Sequence, residues 1–173
     1  MSELDLRAFV RDVPDFPRPG ILFRDVTPLL ADAAALREAV QRLAEPFREA
    51  GVERVLGVES RGFLLGAPVA LELGAGLAIA RKRGKLPRRT IGVSYALEYG
   101  MDRLEMHADA IEPEQRVLVV DDLIATGGTA AATLRLARSA GADVVGCAFL
   151  IELVALGGRA QLDAKRVHAV LPY

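Results

Sequence analysis

The chain has 173 residues, 51% of them hydrophobic and 26% charged, which is the balance of a soluble globular protein able to bury a sizeable core. Its formal net charge is −1, which excludes a molecule built as a whole to coat nucleic acid or an acidic membrane surface. A single cysteine, Cys147, excludes a disulfide framework or a thiolate zinc site.

Met1 to Gly20 carries charges throughout and has no apolar core of a signal peptide, so no secretory signal is expected. Leu36, Val40, Leu43 and Phe47 recur at helical spacing, which predicts a helix stopped at Gly51, with Pro46 as a kink inside it. Arg54 to Val58 reads as a short buried strand. The apolar stretch Gly62 to Ala80 is interrupted by Pro68, Glu72, Gly74 and Gly76. It suits a helix over Phe63–Leu73 and a strand over Leu77–Ala80 better than one membrane span.

Arg81 to Glu114 shows no clear element and is too long for a plain connection, so it is expected to be an irregular, functional flap. Arg116 to Val120 is the clearest strand, β-branched and uninterrupted, with two acids directly after it. A helix over Thr129–Ala140 closed by Gly141 follows, then strands over Val144–Ile151 and Val167–Leu171. Cys147 sits in the first of these two strands and reads as a buried, inert thiol, with a reducing, cytoplasmic setting as the expectation. Strands that are apolar on both faces and alternate with helices predict an α/β fold, a mostly parallel sheet flanked by helices, in one domain over residues 1–173.

The segment richest in chemistry is Val117-Leu118-Val119-Val120-Asp121-Asp122-Leu123-Ile124-Ala125-Thr126-Gly127-Gly128-Thr129. It runs from a strand end through a loop of small residues into a helix start, the place where open α/β sheets bind ligands. Backbone N–H groups of Ala125 to Thr129, the hydroxyls of Thr126 and Thr129 and the helix N-terminus make a phosphate cradle. No Gly-Lys-Ser/Thr follows, so it is not a Walker loop. Asp121 and Asp122 would repel that phosphate, so they accept from vicinal sugar hydroxyls or help hold a divalent cation; capping or a solvated turn is the plain alternative. Arg61, between Ser60 and Gly62 after a strand end, is placed to meet an anion. Arg81, Lys82, Arg83, Lys85, Arg88 and Arg89 form a basic cluster without interleaved aromatics, which suits pyrophosphate better than nucleic acid. His107 and His168 have no spacing that suggests a metal site.

Val119 to Thr129 resembles the phosphoribosyl pyrophosphate motif of the type I phosphoribosyltransferases. Three further segments resemble the adenine-specific members: Phe16-Pro17-Arg18-Pro19-Gly20-Ile21-Leu22-Phe23-Arg24-Asp25 their base-binding hood, Glu59-Ser60-Arg61-Gly62-Phe63 their pyrophosphate loop, and Arg81 to Pro87 with Tyr95 to Gly100 their mobile flap. The resemblance implies the type I phosphoribosyltransferase fold, with a small hood over about 1–30 and a mobile flap over about 81–114. It implies that adenine and phosphoribosyl pyrophosphate give AMP and pyrophosphate, a purine-salvage reaction, with Mg2+ carried mainly by phosphoribosyl pyrophosphate and no all-protein metal site.

By resemblance, Asp121 and Asp122 bind the ribose hydroxyls and Ala125, Thr126, Gly127, Gly128 and Thr129 the 5-phosphate. Leu22 and Arg24 offer backbone groups to the adenine edge and Phe23 stacks on the ring. Arg61, Arg81, Lys82 and Lys85 face pyrophosphate, and Tyr99 and Leu153 complete the substrate contacts. Enzymes for 6-oxopurines carry an aspartate where this chain has Ala125, which moves the proton-transfer role to Glu98. A homodimer is implied, with a flap cation reaching the neighbouring site; neither nucleic acid nor membrane is an expected partner. The rivals are a sister enzyme for another base, against which Ala125 and the hood argue, and a regulator of the same fold, for which no DNA-binding module or broad basic face is visible.

Overall fold

The computed structural model describes residues 4–96 and 100–173. A 3₁₀ turn over Leu6–Phe9 leads into a hairpin, β1 (Arg11–Pro14) against β2 (Leu22–Asp25), antiparallel with Val13 opposite Phe23. Two helices follow, α1 (Thr27–Ala31) and α2 (Ala33–Ala44). Asp32 caps α2, its carboxylate accepting from the N–H groups of Ala34 and Ala35. The helix stops at Ala44 and does not run on to Phe47 as the spacing predicts. Pro46 has no N–H for a further turn, and a 3₁₀ turn over Glu45–Phe47 carries the chain on while keeping Phe47 in the core.

The main sheet is built from β3 (Arg54–Val58), β4 (Gly76–Lys82), β5 (Thr90–Ala96), β6 (Met101–His107), β7 (Arg116–Ile124), β8 (Asp143–Glu152) and β9 (Val167–Pro172), in the spatial order β5-β6-β4-β3-β7-β8-β9. The five strands from β4 to β9 in that order are parallel; β5 and β6 pair antiparallel and join the edge of β4 at Arg81 and Lys82. Helix α3 (Arg61–Glu72) connects β3 to β4, and α4 (Gly128–Ser139) connects β7 to β8. This is the mostly parallel, helix-flanked sheet that the alternation of elements predicts.

The apolar run of β7 has its explanation in the layers. Leu118 and Val120 join Val55, Leu65, Val69 and Phe47 in the core beneath α2 and α3. Val117 and Val119 join Leu56, Val58, Leu134 and Phe149 in the core beneath α4. With a side-chain period of two, a central strand covered on both faces must be apolar at every position. Cys147 lies in the second core, wholly buried, and burial pushes its thiol pKa up to about 12.

Two expectations are corrected. Arg81 to Glu114 is not irregular: it holds the end of β4 and the β5–β6 hairpin, paired from Thr90 opposite His107 to Ala96 opposite Met101. Ile91, Val93 and Tyr95 alternate with polar or small residues, and Tyr95, Leu104 and Met106 are buried; that alternation was the available strand signal. The acids do not follow β7 but belong to it, since the strand continues to Ile124 and pairs with β8 as far as Glu152. Pro17 and Pro19 lie in the connection between β1 and β2, where the Gly20 N–H donates to Asp15 Oδ1 at 2.8 Å.

Candidate active site at the strand switch point

Strand β3 sends its helix to one side of the sheet and its neighbour β7 sends α4 to the other. The carboxyl ends of these two strands therefore diverge into a crevice, the general ligand position in such sheets. A cavity of about 330 Å³ lies there. Glu59, Ser60 and Arg61 border it after β3, Lys82 at the end of β4, Asp121 and Asp122 in β7, and residues 123–130 across the loop into α4.

The loop is shaped by glycine. Gly127 caps α4 with φ +86°, a left-handed conformation that costs a residue with a Cβ dearly. The first helical bond runs from the Ala131 N–H to the Gly127 carbonyl at 2.8 Å. The N–H groups of Gly128, Thr129 and Ala130 precede it and have no acceptor inside the helix, as at any helix start. Close packing also needs Gly62: a Cβ there would stand 2.8 Å from the Val120 carbonyl oxygen and 2.9 Å from Asp121 Oδ1. Helix α3 thus lies directly on the acid-bearing part of β7.

The two acids are in different states. Asp122 is buried, and its Oδ2 accepts from Arg61 Nε at 2.5 Å, although the two residues are 61 apart in the chain. Asp121 Oδ1 accepts from the Asp122 N–H at 2.8 Å. Burial first, and then the negative charge of Asp122, raises the Asp121 carboxyl well above the usual range. Asp122 is paired with a guanidinium, whereas Asp121, buried beside the Asp122 charge, holds its proton more tightly.

Arg61 also reaches the N-terminal hairpin, its Cζ 5.3 Å from the centre of the Phe23 ring. Phe23 in turn meets Phe16 edge-to-face at 5.1 Å. Among the described residues strand β2 pairs with β1 alone, so its other edge carries backbone groups without a partner strand there. The Arg24 side chain is committed elsewhere, to Asp12 and to the face of the Tyr173 ring at 4.2 Å, and Leu22 is exposed and outside the cavity lining.

Of the basic cluster, only Lys82 lines the cavity. Burial pulls its ammonium pKa down, but hydrogen bonds to Asp102 and to the Tyr95 hydroxyl outweigh that, and the net shift is upward. Tyr95 Oη lies 3.3 Å from Lys82 Nζ and 3.5 Å from Thr129 Oγ1, so the hairpin and the loop share one polar chain. Arg81 faces Glu59 of its own chain at 3.4 Å and donates to the Lys85 carbonyl at 3.2 Å, while the Lys85 side chain is exposed. Leu153 stands beside the end of β7, its N–H donating to the Ile124 carbonyl at 2.9 Å, outside the cavity lining. Glu98 and Tyr99 lie outside the described residues. The neighbouring Ala96 is described, and its carbonyl oxygen is 3.9 Å from where a Cβ on Gly128 would stand.

Glu59 and Tyr95, which the sequence places in resembling segments without a role of their own, and Asp102, which it does not mark, are also site neighbours. Glu59 directly follows the β3 run Arg54–Val58, and its Oε2 accepts from the Lys82 N–H at 2.7 Å; an acid directly after an apolar strand was a usable signal. Asp102 had none, because only the hairpin register sets it opposite Tyr95. Among the described residues no group of three or more histidines, cysteines and acids could hold a metal ion, and no helix is long and apolar enough to cross a membrane.

Comparison with known proteins agrees with this geometry. The model of the phosphoribosyl transferase domain matches residues 29–170. An adenine phosphoribosyltransferase of Methylococcus capsulatus is 55% identical over 97% of this chain and 98% of its own length. The crystal structure of the adenine phosphoribosyltransferase from Rhodothermus marinus superposes with a TM-score of 0.93 at 56% identity, covering 97% of this chain and 96% of that one. That of the Saccharomyces cerevisiae enzyme, complexed with adenine and an iminoaltritol bisphosphate, gives 0.91 at 38% identity and 96% coverage of both chains. With this identity over nearly the whole chain, the chain belongs to the phosphoribosyl transferase family and, within it, to the adenine phosphoribosyltransferases.

Proposed function

We propose that the protein transfers the 5-phosphoribosyl group of phosphoribosyl pyrophosphate to adenine, giving AMP and pyrophosphate. The observation that carries this reading is the gathering of the paired acids, the glycine loop, Arg61 and Lys82 around one crevice of about 330 Å³. The yeast relative, crystallised with adenine and a sugar-like bisphosphate, supports the same pair of ligands here.

In this reaction the bond from ribose C1 to pyrophosphate breaks, the bond from C1 to adenine N9 forms, and the N9 proton leaves. The 5-phosphate sits on the backbone N–H groups of Ala125 to Thr129, where the helix N-terminus favours negative charge. The ribose hydroxyls donate to Asp121 and Asp122, and their negative charge faces the cationic ring that forms as pyrophosphate departs. Arg61 and Lys82 take the developing charge of pyrophosphate, joined by Arg81 and Lys85 when the flap closes. Magnesium carried by phosphoribosyl pyrophosphate would help neutralise the diphosphate oxygens, beside the positive charges of Arg61 and Lys82. Phe23 covers the purine, and the free edge of β2 around Leu22 and Arg24 supplies N–H and C=O to its edge. Glu98, in the flap, accepts the purine proton.

The active species in this reading is a homodimer. Leu64 and Leu71, seven residues apart on α3 and so on one helix face, are 55% and 82% exposed and offer an apolar stripe to a second copy. The wholly buried thiol is compatible with a reducing cytoplasm. The direct test is AMP formation from labelled adenine, phosphoribosyl pyrophosphate and Mg2+, with hypoxanthine and xanthine as competitors. AMP formed with little inhibition by the oxopurines is the expected result; incorporation of hypoxanthine at a comparable rate would overturn the base assignment.

A further inference from the structure

The loop between β7 and α4 is built mainly of alanine and glycine, yet a phosphate cradle works only when its N–H groups converge to within a fraction of an ångström. A second glycine turn provides that support. Beyond β8 the chain makes 3₁₀ turns over Val154–Leu156 and Gly158–Gln161, with Gly157 at φ +64° between them. Gly158 is buried against the loop: a Cβ on it would overlap the Ala125 carbonyl oxygen and stand 2.8 Å from the Gly127 nitrogen. The contact is reciprocal, because a Cβ on Gly127 would overlap the Gly158 carbonyl oxygen.

The turn is itself anchored. Arg159 Nε donates to Glu152 Oε1 at 3.0 Å and its Nη2 to Oε2 at 2.5 Å, a two-pronged pair, while Nη1 donates to the Val167 carbonyl at 2.6 Å. Glu152 is nearly buried and lies opposite Ile124, the last residue of β7, in the strand register. Its hydrogen bonds with Arg159 hold its carboxyl below the usual range despite its burial. A fork that grips the strand end next to the cradle fixes the turn far better than a point charge would.

We infer that Gly158 and Arg159 are positioning residues for substrate phosphate: the turn they form, locked to Glu152, holds Ala125 and Gly127 in the anion-receptive conformation. This rests on the reading of residues 125–129 as the 5-phosphate cradle. Nothing in the turn borders the cavity, so its effect is transmitted through the backbone of the loop.

The experiment compares affinity for AMP with affinity for adenosine, which differ only by the 5-phosphate, as inhibition constants of the full-length protein. Gly158→Ala should lower the AMP-to-adenosine ratio at least tenfold, and Arg159→Gln at least threefold, with adenosine affinity within twofold of the parent. Arg159→Lys, which keeps the charge and loses the fork, should not restore the ratio fully. Thr129→Val tests the cradle independently by removing a hydroxyl donor, and should also lower the ratio. If Thr129→Val lowers it and both turn variants leave it within twofold, the turn is not a positioning element and the cradle stands. If none of the three changes it, the cradle reading falls and takes the inference with it. Equal loss of AMP and adenosine affinity, with a lower melting temperature, would show a merely structural role and overturn the inference. Should Gly158→Ala fail to fold, Arg159→Gln decides on the same criteria.

Discussion

Replacing Gly62 by alanine sets a helix preference against a steric contact, and the structure says which one wins. Alanine is favoured over glycine by about 0.8–1.0 kcal/mol within a helix, and Gly62 is the second residue of α3. The new Cβ, however, would stand 2.8 Å from the Val120 carbonyl oxygen, 2.9 Å from Asp121 Oδ1 and 3.2 Å from Asp121 Cα. Carbon ordinarily rests about 3.3–3.6 Å from such an oxygen, so α3 and β7 must part by roughly 0.5 Å. Overpacking of this kind costs about 1–3 kcal/mol, leaving a net loss of about 0–2 kcal/mol. The midpoint of thermal unfolding should therefore fall by no more than about 8 °C.

Function should suffer more. The separation moves Asp121 away from Arg61 on α3, and a misplacement of about 1 Å can cost on the order of 100-fold in rate. Half that displacement predicts a kcat about tenfold lower, measured as AMP formation at saturating adenine and phosphoribosyl pyrophosphate. A variant that melts higher than the parent and keeps kcat within twofold would refute the reasoning, because the contact would then be soft and the helix preference dominant.

Asp121→Asn should stabilise the protein while removing activity. The native carboxyl pKa is raised, so its proton is held more tightly folded than unfolded: the parent loses stability as pH climbs from the unfolded carboxylate value through the raised native one. Melting curves of the two proteins should coincide in acid and separate towards neutral pH, with the asparagine variant higher by about 2–4 °C for each kcal/mol of relieved repulsion; a constant difference at all pH values would contradict this. Glu98→Gln should lower turnover by about 10²–10⁴-fold with little change in adenine affinity; parental turnover across the pH range would make the carboxylate a bystander. Mixing an Arg81→Ala chain with an Asp122→Asn chain should restore part of the activity that each lacks alone, and full activity of a species with monomeric mass would exclude shared sites.

The sequence by itself determined the frame of this protein. β3 appears at its expected residues, and β4, α3, α4, β8 and β9 within a few residues of theirs, because each is specified by its own apolar period and by a local stop. The chemistry of residues 119–129 was also legible locally, since paired acids followed by small residues and glycines leave few other uses. The edge hairpin β5–β6 was hidden, although Ile91, Val93 and Tyr95 alternate as a strand should, because the basic run from Arg81 to Arg89 masked the pattern.

Only the tertiary structure decided how the site residues are used. That Asp122 is held by Arg61 while Asp121 is left to shift upward depends on α3 lying directly on β7. That Lys82, alone of its cluster, faces the crevice depends on where β6 joins β4 and on Asp102 standing opposite Tyr95. Gly158 reads in sequence as one more turn residue, and its closeness to Ala125 and Gly127 exists only once β8 has returned the chain to the end of β7. Periodicity and turn chemistry record what a residue's neighbours in the chain require, whereas charge pairing, proton affinity and backbone contact depend on distances in space, and those are set when the layers pack.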